Sequence, residues 1–502
     1  MTAVTATTAD AFRPAMHYAA RSTWLNDPNG LIFHDGLYHL YYQNNPEGSV
    51  WGNMSWGHAT SADLVTWTEH PVAIACDEQE DIYSGSIIFD RHNTSGFGTE
   101  SRPPLVAVYT SAFKPASEHN GIQAQSLAYS LDGGYTWTKY ADNPVLNRGS
   151  SDFRDPKVFR YESDAGSYWV MVAVEAQDFQ VVFYKSDDLK SWEPLSTFGP
   201  ANATGGVWEC PDLFPLPVDD DPENVKWVLT VNLNPGGPNS GSAAQYFVGD
   251  FDGVTFTSSS TVTEGAQDPD KLHEYQWLDW GRDYYAAVSF SDVPDGRRLM
   301  IAWMNNWQYA NQIPTAPWRS PMSLVREVSL QGAHGNPRLV QHVAQELTSL
   351  PAGKPPFTAS AGEIAEGKHI LAGAAGSVQR IEATFTPGTA EEFGLIVRGD
   401  GTRGTRIGFR PAEGSIVVDR RESGQTDFHE SFASIDSAPI QPTANSYEVT
   451  IYVDQCSVEV FAQGGQVTLS ELIFPNTTSI DVSVYAAAGT ATLNNLNITQ
   501  WA

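Results

Sequence analysis

Three acidic residues, each close to a proline, carry the strongest chemical signal in this chain. Asp27 sits in Trp24-Leu-Asn-Asp-Pro-Asn-Gly30, Asp155 in Phe153-Arg-Asp-Pro156, and Glu209 in Trp208-Glu-Cys-Pro-Asp212. A residue before proline is driven toward extended backbone, so Asp27 and Asp155 are expected at strand ends. Asp27 has the polar neighbours Asn26 and Asn29. Glu209 lies between Trp208 and Cys210, and an apolar setting favours the protonated carboxyl. Arg154 is expected to pair with Asp155 and keep it ionised, as an acceptor for hydroxyls. One carboxylate held ionised and another held protonated is what cleavage of a glycosidic bond requires. Singly, each motif reads as an ordinary turn or capped loop, and Asn-Asp-Pro-Asn-Gly is made of residues that turns prefer. The conjunction is what points to chemistry.

Other chemistries find less support. The three cysteines, Cys76, Cys210 and Cys456, are far apart and match no zinc spacing. The twelve histidines contain no His-Glu-x-x-His pattern. Cys210 has no visible base beside it and is not expected to act as a nucleophile. Two carboxylates and water suffice, so no metal and no organic cofactor is expected.

The elements that must hold these groups read as strands. The chain has 502 residues, 41% hydrophobic and 18% charged, with 42 Gly and 31 Pro. Abundant aromatics with Gly/Pro punctuation suit an all-β fold rich in tight turns. An Asp turn followed by an aromatic recurs at Asp63…Trp67, Asp132…Trp137, Asp188…Trp192 and Asp252…Phe256. The aromatics at 67, 137, 192 and 256 are therefore 70, 55 and 64 residues apart. Each interval holds about four strands, the size of a β-propeller blade. Trp303-Met-Asn-Asn-Trp307 follows a strand and is assigned to a fifth blade. Pro351-Ala-Gly-Lys-Pro-Pro356 reads as a linker, preceded by a short helix or turn at 343–347. Beyond it, seven alternating segments between 380 and 485 read as an antiparallel sandwich. The predicted domains are 14–350 and 357–502.

The charge sum is 29 basic against 59 acidic residues, a net −30. Such a chain is repelled by phosphate backbones and anionic lipid, so no nucleic-acid and no membrane partner is expected; a neutral substrate feels no such repulsion. No apolar run is long enough to span a bilayer. The first ten residues lack the basic and apolar regions of a signal peptide and read as a disordered leader left by trimming. That favours a secreted protein, with a cytoplasmic one as the alternative. A monomer is the default expectation.

The motifs together resemble glycoside hydrolase family 32, the β-fructofuranosidases, which include invertases, inulinases, levanases and fructosyltransferases. Trp24–Gly30 is similar to the family's nucleophile motif, Arg154-Asp-Pro156 to its transition-state-stabiliser motif, and Glu209-Cys210 to its acid/base motif. Asn45-Pro46 with Trp51–Thr60 and Tyr83-Ser-Gly-Ser86 resemble two further signatures of the family, while Asp279–Tyr285, Trp303–Trp307 and Pro317–Ser320 resemble its levanase and exo-inulinase branch. Asp419–Gly424 and Asp454–Phe461 resemble the family's sandwich domain. The resemblance implies a five-bladed β-propeller followed by a C-terminal β-sandwich.

By the same resemblance, Asp27 is the nucleophile, Glu209 the general acid and then base, and Asp155 the stabiliser of the oxocarbenium-like state. Arg154, Asn26, Gln43, Trp51, Ser84 and Trp307 line a fructose pocket, with Trp24 packing beside the nucleophile among the substrate-binding residues. Retention of configuration places the two catalytic carboxyls roughly 5–5.5 Å apart. The substrate is a fructan or fructosyl oligosaccharide, attacked at its terminal unit. Fructosyl transfer to a sugar hydroxyl, as in levan fructotransferases, is the alternative. An inactive fructan-binding protein and an α-L-arabinosidase on the same propeller are further readings, disfavoured by the intact carboxylates and by the sandwich.

Overall fold

A computed structural model describes residues 8–501 except 165, 260, 261, 267 and 333–335. Most of the predicted leader, residues 1–7, lies outside the described residues. Before residue 344, the described strands form five antiparallel four-stranded units. Blade I comprises β1 (Trp24–His34), β2 (Leu37–Asn45), β3 (Ser55–Ser61) and β4 (Trp67–Ile74). Blade II comprises β5 (Glu80–Phe89), β6 (Leu105–Phe113), β7 (Gln123–Ser130) and β8 (Thr138–Lys139). Blade III has β9 (Phe153–Ser163), β10 (Gly166–Glu175), β11 (Gln180–Ser186) and β12 (Glu193–Phe198). Blade IV has β13 (Val207–Val218), β14 (Asp221–Asn234), β15 (Ala243–Phe251) and β16 (Phe256–Ser258). Blade V has β17 (Tyr285–Ser289), β18 (Arg298–Trp303), β19 (Arg326–Gln331) and β20 (Arg338–Val343).

The recurring Asp-aromatic signal marks the turn into the fourth strand of blades I to IV. In each turn the Asp carboxylate accepts main-chain N–H groups: Asp63 from Val65 and Thr66, Asp132 from Tyr135 and Thr136, Asp188 from Lys190 and Ser191, Asp252 from Val254 and Thr255. Each turn satisfies N–H groups that no strand can reach. Blade V breaks the rule. Trp303 ends its second strand, and Trp307 lies in the loop that follows.

Every first strand carries a β-bulge, two residues facing one on the next strand. In β1, Asn26 and Asp27 face Gln43. In β5, Tyr83 and Ser84 face Thr110. In β9, Asp155 and Pro156 face Ala173. In β13, Cys210 and Pro211 face Val231, and in β17, Ala286 and Ala287 face Ala302. Asn-Asp-Pro-Asn-Gly is therefore not a turn but part of a strand, and its turn-forming residues accommodate irregular backbone. Pro156 and Pro211 sit within the bulges, where no ladder N–H is required. Asp155, Cys210 and Ala286 take left-handed backbone, with φ of 62°, 44° and 55°. A bulge re-aims the side chains around it, and these five lie at the same level of successive blades.

The ring closes between blades V and I. Leu25 N donates to Arg319 O at 3.1 Å, Ser291 N to Leu31 O at 2.9 Å and Phe33 N to Ser291 O at 2.9 Å. A short helix, Gln345–Thr348, leads out of the propeller. Two antiparallel sheets follow. One joins Gln379–Pro387, Tyr447–Val453, Ser457–Ala462, Val467–Leu472 and Ala491–Gln500 with two short edge strands. The other joins Gly367–Ile370, Glu392–Gly399, Thr405–Arg410, Ser415–Asp419, Ile435–Pro439 and Asp481–Ala487.

Buried charges connect the two halves. Arg326 of blade V donates to Asp279 at 2.8 Å and to Glu459 of the sandwich at 2.5 Å. Arg420 of the sandwich donates to Asp283 at 2.6 Å. The N-terminal segment is tied in as well: Asp454 accepts the N–H groups of Ala15 and Met16, and His17 bridges Asp454 and Glu459 at 2.7 and 2.9 Å.

Candidate active site

Because the bulged first strands line the centre of the ring, residues distant in sequence meet there. Asp27 and Glu209, with Asp155 and Arg154, line one open cavity of about 430 Å³. Asn26, Gln43, Ser84, Trp51 and Trp307 also line it. Trp51 is 44% exposed, at the rim. Trp24 does not reach the cavity. It is completely buried and packs at a tilt against Trp303 and Trp307, with ring centroids 5.9 Å away in both cases. Its indole N–H donates to Asn26 Oδ1 at 2.7 Å, so it supports a cavity residue instead of offering a face to substrate.

Asp27 is held from both sides. Asn26 Nδ2 donates to its Oδ1 at 2.9 Å, and Ser84 Oγ donates to its Oδ2 at 2.8 Å. Burial and the charge of Glu209 raise its pKa above the ordinary carboxylate value, while the Asn26 and Ser84 bonds oppose that rise. Gln43 is fixed by donating to Asn29 Oδ1 at 2.8 Å and to Ile82 O at 3.0 Å.

The surroundings of Glu209 differ from the sequence expectation. Its flanking residues Trp208 and Cys210 are buried and do not form an apolar shell around the carboxyl. Arg154 Nε and Nη2 both donate to Glu209 Oε1, at 3.2 and 3.1 Å, and the Tyr285 hydroxyl donates to Oε2. The partners of the carboxyl come instead from across the ring, from blades III and V.

The expected Arg154–Asp155 pair is likewise weaker than predicted. Arg154 Nε stands 3.9 Å from Asp155 Oδ2, and its hydrogen bonds go to Glu209, Gln123 and Asp152. Asp155 is not kept strongly ionised: burial, against the opposing charge of Arg154, pushes it up to about 7. Asp155 Oδ2 also accepts the N–H of Cys210 at 2.9 Å, and the Asp155 N–H donates to Thr110 Oγ1 at 2.9 Å.

The Cys210 sulfur lies 3.6 Å from both Asp27 Oδ2 and Asp155 Oδ2. Burial and these carboxylates push its pKa well up, so the thiol stays neutral. Four further lining residues carried no role in the sequence reading: Tyr83, Gln123, Asp152 and Asn234. Tyr83 adjoins Ser84 within a recognised motif. Gln123 and Asn234 carry no local signal, being set there by β7 and the end of β14, whereas Asp152 lies two residues before Arg154, which donates to it at 3.4 Å.

Comparison with known proteins agrees with the fold and gives the family. The model of the glycosyl hydrolases family 32 N-terminal domain matches residues 17–343, and that of the family 32 C-terminal domain matches residues 346–500. This chain belongs to glycosyl hydrolase family 32. It is 44% identical to a levanase of Bacillus subtilis, over 97% of this chain and 70% of that protein. It is 40% identical to an extracellular exo-inulinase of Aspergillus niger, over 95% of this chain and 92% of the relative. The solved exo-inulinase of Aspergillus awamori superimposes with a TM-score of 0.90 at 38% identity, covering 98% of each chain. A β-fructofuranosidase of Schwanniomyces occidentalis, solved with fructosyl-erythritol, gives 0.84 at 31% identity, covering 97% of each chain. Among the described residues, no helix is long and apolar enough to cross a membrane.

Proposed function

We propose that this glycoside hydrolase is a retaining β-fructosidase that removes terminal β-linked fructosyl units from fructans or sucrose-type sugars. The observation that carries the reading is the convergence of Asp27, Asp155 and Glu209 from blades I, III and IV on one sugar-sized cavity. The levanase and exo-inulinase relatives favour a fructan as substrate.

In the first half-reaction an Asp27 oxygen bonds to C2 of the fructosyl unit as the C2–O glycosidic bond breaks. The proton of Glu209 passes to the leaving oxygen. In the second, Glu209 takes a proton from water, whose oxygen bonds to C2 and releases Asp27. Asn26 and Ser84 fix the direction of attack, each holding one Asp27 oxygen. Asp155 faces the ring hydroxyls. Trp307 and the rim residue Trp51 close the hollow around a terminal unit, which favours exo attack. We read the enzyme as acting outside the cell, where polymeric fructan lies, in keeping with its extracellular exo-inulinase relatives.

Incubation with levan, inulin and sucrose, followed by chromatography and NMR, tests this reading. Free β-fructose as the first-formed product is expected. A difructose dianhydride would assign intramolecular transfer instead, and binding without release would remove the enzymatic reading. Glu209→Gln is expected to lower turnover by several orders of magnitude in a folded protein.

A further inference from the structure

The residues immediately before the bulge in blades III, IV and V are Arg154, Glu209 and Tyr285. Their structural equivalence places them side by side around the ring axis as a hydrogen-bonded chain. Arg154 gives two N–H bonds to Glu209 Oε1, and the Tyr285 hydroxyl gives one to Glu209 Oε2. Tyr285 is buried, does not line the cavity, and packs against Trp303 with ring centroids 6.3 Å apart.

The two ends of this chain are chemically unequal. A guanidinium has only donors and cannot accept a hydrogen bond, so a proton on Oε1 would face two N–H groups and a positive charge. A phenol hydroxyl both donates and accepts, so Oε2 can be protonated or ionised without losing its partner. We propose that Tyr285 is a positioning residue that, opposite Arg154, confines the acid/base proton of Glu209 to Oε2. Oε2 then hands its proton to the leaving oxygen and takes one back from the attacking water, while Tyr285 keeps its own proton throughout. Burial and the Glu209 charge, which push the phenol well above its ordinary range, keep it a donor.

Other groups that act electrostatically around Glu209 are Asp27 from β1, Tyr83 from β5, Arg154 and Asp155 from β9, and Cys210 beside it on β13. Tyr285→Phe leaves all of these in place and keeps the buried ring. It removes only the donor that stabilises the ionised carboxylate, so the acid form persists to higher pH.

The test is the pH profile of kcat/KM on sucrose for the full chain. For Tyr285→Phe, the alkaline limb is expected to move up by about one pH unit, with a loss of about tenfold at the optimum. An activity loss with both limbs unmoved would make Tyr285 merely structural and overturn the proposal, as would a wild-type profile. If the variant fails to fold by circular dichroism, 3-fluorotyrosine at position 285 decides. Its more acidic phenol donates more strongly, so the limb moves down, and an unmoved limb again overturns the proposal. The inference rests on Glu209 as acid/base, and the two fail separately: full turnover by Glu209→Gln removes that assignment, whereas Tyr285 governs only where the proton sits.

Discussion

The backbone N–H of Cys210 donates to Asp155 Oδ2 at 2.9 Å, so the residue after Glu209 in sequence holds the third carboxylate in space. That bond survives replacement of the Cys210 side chain. The thiol itself is buried and neutral. Iodoacetamide at pH 8 is therefore expected to leave turnover intact, although alkylation can still reach the half-buried Cys76. Inactivation that tracks modification of Cys210 by mass spectrometry would contradict this.

Asp155 links activity to stability. Its folded value of about 7, against an ordinary 3.8, means the native state holds this proton more tightly than the unfolded chain. Folding therefore loses free energy as pH rises from about 4 to about 7. Asp155→Asn keeps an acceptor for the Cys210 N–H and removes that loss. The variant is expected to be inactive on fructans yet to be more stable than wild type at pH 8, by on the order of 1–4 kcal/mol and with a higher melting temperature, with no difference near pH 4. Equal shifts in melting temperature at both pH values would rule out titration of Asp155 as the cause.

Trp24 acts through Asn26. Trp24→Phe keeps a ring against Trp303 and Trp307 but removes the N–H that fixes Asn26 Oδ1. A buried acceptor left alone costs about 1–3 kcal/mol, and Asn26 loses its register on Asp27. kcat is expected to fall about tenfold for each 1.4 kcal/mol of positioning lost. Wild-type kcat in a variant of unchanged fold would leave Trp24 as packing alone.

His17 has the opposite pH sign. Burial lowers its pKa, but the bonds to Asp454 and Glu459 prevail and raise it from 6.5 to about 9. A raised folded value contributes stability that is complete below about 6.5 and lost as pH rises through about 9. His17→Gln is expected to cost on the order of 3 kcal/mol at pH 6 and to flatten the fall in melting temperature between pH 7 and 10. A variant that keeps the wild-type slope would place the titration elsewhere.

Much of the architecture could be read from sequence because it rests on short-range patterns. The Asp turns of blades I to IV are local hydrogen-bonding units, and seven sandwich strands show simple alternation. Ser415–Asp419 and Tyr447–Val453 match the structure at both ends. Blade V lacks the Asp signal, so its count came from family resemblance. The strands Gly367–Ile370, Ile435–Pro439, Val467–Leu472 and Ala491–Gln500 carry no such pattern in the sequence reading, the last because its Thr- and Asn-rich sequence hides it. At the site, the carboxylates were legible because prolines and aromatics flag them. Their electrostatic environment was not: Glu209 takes its partners from Arg154, 55 residues away, and Tyr285, 76 residues away. Sequence neighbours cannot report what ring closure assembles.

The dipeptides Asn26-Asp27, Tyr83-Ser84, Asp155-Pro156, Cys210-Pro211 and Ala286-Ala287 set the reading phase of their strands. Removing one residue from any of the first four would restore regular pleating while turning the polar group of that strand away from the sugar, and removing one from the fifth would turn Tyr285 away from Glu209. Length variation among functional descendants of this scaffold should therefore collect in its outer connections, and these five innermost pairs should be counted in residues as strictly as a codon is counted in bases.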